Sequence, residues 1–343
     1  MTTTSTTTMH AIAQRGYGSI EVLGVESLPV PTAGVDQVLV RVVAVSPDSG
    51  TVHIMNGDPL AVRPVFGLRA PRQPVIGLSF AGIVETVGAK VKHFAPGDRV
   101  AGTAAAAFAE LVVASPAKIA RIPDGVSMAD AATVAVSAVT ALQALRDSAR
   151  VKPGQRVLII GAGGGVGSFL TQIAVAEGAR VTGVVSAAKA DFVRSLGAER
   201  VIDYRVSSEP ADWGSFDVIV DVADGRALHV LRRALTARGT LVIVGADGVG
   251  GPLLRGSDRQ LRAIFLNPWV RHRVTSVVQR ENGADIAVVL DMLASGRICA
   301  AVDAVESIDR AIDLMGRLER QEIAGKAVIE FSSDTATPPT SRR

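Results

Sequence analysis

The 343-residue chain is 48% hydrophobic, 20% charged and only 4% aromatic, with a net charge of +3; this describes a globular chain long enough for two domains. No dense basic run with interleaved aromatics favours a nucleic acid partner, and no uninterrupted apolar segment is long enough to span a bilayer. A single cysteine, Cys299, excludes an intramolecular disulfide framework and any multi-cysteine zinc site, and its neighbours Ile298, Ala300 and Ala301 predict a buried thiol.

Residues 1–8 carry neither the basic start nor the apolar run of a signal peptide. They are expected to be a disordered tail of a soluble cytoplasmic protein, and 333–343 a second tail. From Met9 to Ala129 short β-rich runs alternate with Gly and Pro: Gln37–Val45 and Ala81–Gly88 read as strands, and Pro96-Gly97-Asp98 as a turn into another. The period then changes. Ala131–Leu145 has helical spacing without breakers, and Lys152-Pro153-Gly154 marks a turn. Beyond it, strands at Val157–Ile160, Val181–Val185, Val201–Ile202, Val218–Val222 and Leu241–Val244 alternate with helices near 168–177, 188–196 and 227–236. Continuous apolar strands joined by helical crossovers specify a parallel sheet covered on both faces. After Val278 come helices at Ala284–Leu293 and near 307–318, and a last strand at Ala327–Phe331.

The strongest local signal joins the strand Val157–Ile160 to the glycine-rich run Gly161–Gly167 and a helix from Ser168. Small residues at a strand-to-helix turn let backbone amides approach a phosphate, and the helix's positive end favours its charge. The spacing is Gly161-x-x-Gly164-x-x-Gly167 rather than a strict G-x-G-x-x-G, but a buried strand precedes it and further β-α units follow. The result is a doubly wound, Rossmann-type α/β domain. An acid at the end of the second strand would hold the ribose hydroxyls of NAD. Here that position reads Val185-Ser186-Ala187-Ala188-Lys189, and the third strand ends at Tyr204. Ser186, Lys189 and Tyr204 suit a 2′-phosphate, so NADPH is the expected cofactor.

At these residues the chain resembles the zinc-independent, zeta-crystallin-like quinone oxidoreductase branch of the medium-chain dehydrogenase/reductases. The resemblance runs from Met9 to Phe331 through Gly77–Gly82, Val87-Gly88, Pro96–Val100, Phe108–Glu110, Thr140–Gln143, Val201–Tyr204 and Gly325-Lys326. It implies that a Rossmann domain (130–279) is inserted into a GroES-like β-rich catalytic domain made of 9–129 and 280–332, with a homodimer as the expected assembly. It also implies cofactor contacts at Thr140, Gly163, Gly164, Gly165, Val166 and Gly167. Gly245, Ala246 and Val277 would border the nicotinamide, and the Gly325-Lys326 turn would close over the cofactor unless Lys326 is a surface lysine beginning a strand.

Two positions where the family's alcohol dehydrogenases hold catalytic zinc carry Leu78 and Ser79, neither of which is a useful ligand, so no metal is expected. Without a Lewis acid, hydride addition to a conjugated acceptor is favoured over dehydrogenation of simple alcohols, because the charge spreads to a distal oxygen. The substrate-side motif departs from the family: Asp48 stands for an asparagine and Thr51 for an aspartate, and no tyrosine donor is present there. Asp48, Thr51 and His53 are the candidate catalytic residues. Ser46-Pro47-Asp48 also reads as a helix start with Ser46 as its cap. The leading expectation is an NADPH-dependent reductase of an enone, enoyl or quinone compound. The alternatives are a tailoring reductase that cyclises a larger polyene, and a non-catalytic NADPH-binding protein.

Overall fold

A computed structural model describes residues 7–331 apart from 59, 61–62, 208, 224–225 and 245–270. The chain enters regular structure at β1 (Thr8–Gln14), which pairs antiparallel with β2 (Leu23–Pro29). The body of the first half is built from β3 (Val38–Val45), β4 (Ser79–Val87), β5 (Arg99–Thr103), β6 (Leu111–Ala114) and β7 (Ile119–Arg121). Burial alternates along much of β3, as a half-buried strand requires. Between β3 and β4 lies the helix α1 (Ser49–Asn56).

The expected single helix at Ala131–Leu145 is interrupted. It consists of α2 (Met128–Ala132), a π turn (Val134–Ala138), α3 (Val139–Gln143) and a second π turn (Ala144–Ala149). Its apolar spacing is that of an ordinary buried helix, which conceals the wider turns; such turns occur often at functional sites.

The second body is a six-stranded parallel sheet. Its strands are β8 (Arg156–Ile160), β9 (Arg180–Val185), β10 (Arg200–Asp203), β11 (Phe216–Asp221), β12 (Leu235–Ile243) and β13 (Arg273–Ser276), in the spatial order β10-β9-β8-β11-β12-β13. This is the doubly wound order expected from the sequence, with its switch point between β8 and β11. After their first residues β8 and β9 are buried throughout, against α4 (Gly165–Ala176), whose Phe169 and Leu170 have no exposure. Each such side chain contributes roughly 1.5–3 kcal/mol of burial. The helix expected at 227–236 is one short turn, α5 (Leu228–Leu231), followed by a 3₁₀ turn, and β12 begins at Leu235. Leu235 pairs with Phe216 on β11, and this sheet contact overrides the helical propensity of the segment.

After α6 (Gly283–Ala294), β14 (Val302–Ser307) and β15 (Lys326–Glu330) return to the first body. They complete a sheet ordered β14-β15-β3-β4-β5-β7, with β6 also on β3. Strands from both ends of the chain therefore share one sheet, and the parallel sheet is formed by the residues between them. Cys299 is exposed, contrary to the buried thiol expected. Ile298 and Ala300 turn inward on either side of it, so extended alternation places the thiol outward.

Candidate active site

The glycine-rich run occupies the carboxyl end of β8. Gly161 has φ +84°, and a Cβ on it would lie 2.7 Å from the Ala223 Cβ. A Cβ on Gly167 would lie 2.1 Å from the Gly161 carbonyl oxygen, so only glycine lets α4 approach the loop. Gly164 is the N-cap of α4, and no side chain caps it. The first-turn amides of a 12-residue helix thus remain available to an anion.

Two lysines flank this loop. A Cβ on Gly163 would meet the Lys189 Cδ at 2.9 Å, and one on Gly165 would meet the Lys326 Cδ at the same distance. Lys326 is not a surface lysine. It is 2% exposed, and its Nζ donates to the Pro47 carbonyl at 2.9 Å and to Ser137 Oγ at 3.0 Å. Burial pulls its pKa down to about 8, against the opposing pull of the Asp48 carboxylate. Gly325 N donates to the Gly163 carbonyl at 3.0 Å, so the turn before β15 lies on the glycine loop.

Ser186, Lys189 and Tyr204 come together at the adjoining ends of β9 and β10, where Tyr204 N donates to the Val185 carbonyl. The half-buried Lys189 is not free, however: its Nζ donates to the carbonyls of Gln321 and Ile323. Burial lowers its pKa, partly offset by Asp303. The sequence reading overlooked Arg205, whose guanidinium lies 5.7 Å from the Tyr204 ring; its adjacency to Tyr204 was the available signal.

Thr140 meets a residue the sequence reading also missed, Gln279, which stands two positions beyond Val277 in the chain. Thr140 Oγ1 lies 2.7 Å from the Val136 carbonyl and 3.2 Å from Gln279 Oε1, and Val277 N donates to the Ile243 carbonyl. Gly245 and Ala246 lie outside the described residues.

On the substrate side, α1 is capped by Asp48 and not by Ser46. Asp48 Oδ1 accepts from Thr51 N at 2.8 Å and Thr51 Oγ1 at 3.1 Å, whereas the buried Ser46 hydroxyl donates to the Ala327 carbonyl. Pro47 is compatible with either start, so the sheet contact of Ser46 decides. Asp48 joins the site through its influence on Lys326, and Thr51 is buried with Met55 on the inner face of α1. His53, two residues beyond Thr51 and so about 200° round the helix, is turned from that face. Ser79 is buried and donates to the Ala132 carbonyl at 2.6 Å, tying β4 to α2. Among the described residues no cluster of His, Cys, Asp or Glu could hold a metal, and no helix is long and apolar enough to cross a membrane.

Comparison with known proteins agrees with this architecture. Residues 34–124 match the alcohol dehydrogenase GroES-like domain, and residues 165–295 match the zinc-binding dehydrogenase family. The chain is similar to the chloroplast envelope quinone oxidoreductase homolog of Arabidopsis thaliana, 28% identical over 94% of this chain and 98% of that protein. It is 31% identical to a polyketide synthase component, PikAII of Streptomyces venezuelae, over 77% of this chain but 7% of that protein; it therefore spans only a small part of that relative's length. Among solved structures it is similar to a mycobacterial protein complexed with NADPH: 28% identical, TM-score 0.79, covering 94% of this chain and 99% of that one.

Proposed function

This chain is a quinone-oxidoreductase-like member of the medium-chain dehydrogenase/reductase family and an oxidoreductase, and on that premise we propose that it transfers hydride from NADPH to a conjugated carbonyl compound, without a metal. The observation that carries the reading is the set of positive groups around the glycine loop: the uncapped start of α4, Lys326 on one side and Lys189 on the other. Without a Cβ at Gly163 or Gly165, the Lys189 and Lys326 stems pack directly on the loop, so both lysines border the backbone that a diphosphate would meet. The α4 amides and the Lys326 ammonium would hold that diphosphate. Ser186, Tyr204 and the remaining N–H of Lys189 would hold the 2′-phosphate, with no acid at the end of β9 to repel it.

When bound, the reduced nicotinamide supplies the hydride. Thr140 and Val277 would flank its ring and fix the distance to the acceptor. Leu78 and Ser79 offer no zinc ligand, and the Ser79 hydroxyl is already committed to Ala132. Charge developing on the substrate oxygen is then met by hydrogen-bond donors and not by a Lewis acid, which favours acceptors that delocalise it. Thr51 faces the inner side of α1, and the proton comes from the Asp48–Thr51 region or from water. The match to a segment of a polyketide synthase component favours, as the second reading, a biosynthetic tailoring reductase that cyclises a larger polyene.

The test is NADPH oxidation followed across a panel of quinones, enones, enoyl thioesters and polyenes, with product analysis. Turnover of one class with NADPH supports the reading. Tight NADPH binding with no oxidation of any acceptor leaves a cofactor-binding protein without catalysis.

A further inference from the structure

Residues 277–280 leave the parallel sheet just beyond β13 and run against the interrupted helix. Val277 still belongs to the ladder, donating to the Ile243 carbonyl at 3.0 Å. Val278 is 79% exposed, so its burial does not set the direction of the chain. That direction is set by amide side chains. Gln279 Nε2 donates to the Ala135 carbonyl at 2.8 Å, within the first π turn, and Gln279 Oε1 lies 3.2 Å from Thr140 Oγ1. The Thr140 hydroxyl has one proton, directed to the Val136 carbonyl at 2.7 Å and shared with Gln279. Gln279 thus has both ends of its amide engaged, which leaves one orientation for the side chain and one position for Thr140.

Building on the reading that the nicotinamide lies between Thr140 and Val277, we propose that Gln279 is a positioning residue: by tying residues 277–279 to Ala135 and Thr140, it sets the width and angle of the slot that receives the ring. The role is local because another cluster already joins the two elements. Arg280 N donates to Gln143 Oε1 at 2.9 Å, and Gln143 Nε2 returns a bond to the Arg280 carbonyl at 2.9 Å and another to Asp285 Oδ2 at 2.7 Å. Arg146 Nη1 reaches Asp285 Oδ1 at 2.6 Å, and bonds from Arg146, then Asn282 and Gln143, hold the Asp285 carboxyl well below the usual carboxylate range. With that cluster intact, loss of the Gln279 amide releases the slot and leaves the fold standing. A glutamine spent only on packing would be replaceable by leucine at no catalytic cost.

The experiment compares the full-length protein with Gln279→Leu and Gln279→Glu. It measures NADPH affinity, turnover, and the face of hydride transfer using stereospecifically deuterated NADPH. Gln279→Leu is expected to bind NADPH within about threefold of the parent while turnover falls about 10- to 100-fold, the scale of a small misplacement of reacting atoms. It is also expected to transfer hydride less selectively. Gln279→Glu replaces the donor to Ala135 only when its carboxyl is protonated, so its turnover should recover as pH falls through that titration. Should Gln279→Leu fail to fold, the pH-dependent recovery of Gln279→Glu decides the matter alone. Parental turnover and facial selectivity in either soluble variant, with no pH-dependent recovery, overturn the assignment of Gln279 alone. Failure of the parent to bind NADPH overturns the cofactor reading and this assignment with it.

Discussion

Replacing Lys326 with methionine removes a single buried ammonium and keeps most of the volume. In the parent that ammonium lies between Pro47 and Ser137, beside the first turn of α4. A hydrogen bond from a charged group contributes about 1.5–3 kcal/mol, so loss of the bond to a diphosphate should raise the NADPH dissociation constant roughly 10- to 150-fold. The pH dependence is more specific. Burial brings the Lys326 pKa down to about 8, so the cofactor-free protein loses this charge as pH rises through that value. Binding should then weaken about tenfold per pH unit above 8, until the pKa of the bound state is reached, while Lys326→Met shows no such slope. Stability should respond in the opposite way. The folded pKa lies below the ordinary lysine value of 10.5, so between about 8 and 10.5 the unfolded chain binds more protons, and the parent gains stability with pH. At pH 7 the variant is relieved of a buried charge and should melt no lower than the parent. Calorimetric titration with NADPH from pH 6.5 to 9.5, with melting curves of both proteins, is the assay. Equal affinities, or the same pH slope in both, would refute the placement of Lys326 at the diphosphate.

Lys189→Ala should weaken NADPH by about tenfold or more and leave NADH nearly unchanged, because the N–H not spent on the Gln321 and Ile323 carbonyls is the one assigned to the 2′-phosphate; fluorescence titration of both cofactors checks this, and an equal loss for both contradicts it. Asp48→Ala should cost about 1 kcal/mol of stability through loss of the α1 cap, read in denaturant melts, and an unchanged midpoint would remove the cap from the account. His53→Phe should retain most turnover and the parental pH profile near neutrality, since His53 is turned from the inner face of α1; a large loss at unchanged stability would make it the general acid. Gly167→Ala forces a Cβ to 2.1 Å from the Gly161 carbonyl oxygen and should abolish NADPH binding or folding, whereas a fully active variant would contradict the close approach of helix and loop.

The parallel sheet and its glycine loop were legible because their signals are local: buried strands read as apolar runs, and the turn chemistry lies within a few residues of both elements. The neighbouring placement of Ser186 and Tyr204 was legible for the same reason, because each directly follows one of two adjacent strands. What was not legible depends on distant partners. The carbonyls of Gln321 and Ile323, which accept from Lys189, lie more than a hundred residues away in the chain. The burial of Lys326 depends on Pro47 and Ser137. The true cap of α1 turned on whether Ser46 was needed elsewhere, and its bond to Ala327 shows that it was. The π turns share the apolar spacing of an α-helix, so periodicity could not reveal them or the glutamine docked on the first.

The central claim is hydride transfer from NADPH without a metal, and one measurement tests it most directly. Protein treated exhaustively with a chelator and verified free of zinc by elemental analysis is mixed with one equivalent of NADPH and a conjugated acceptor, and absorbance at 340 nm is followed alongside product analysis. The account predicts stoichiometric loss of NADPH and appearance of the reduced acceptor, with much slower reaction from NADH. Activity that requires added zinc, or an equal or faster reaction from NADH, would contradict it.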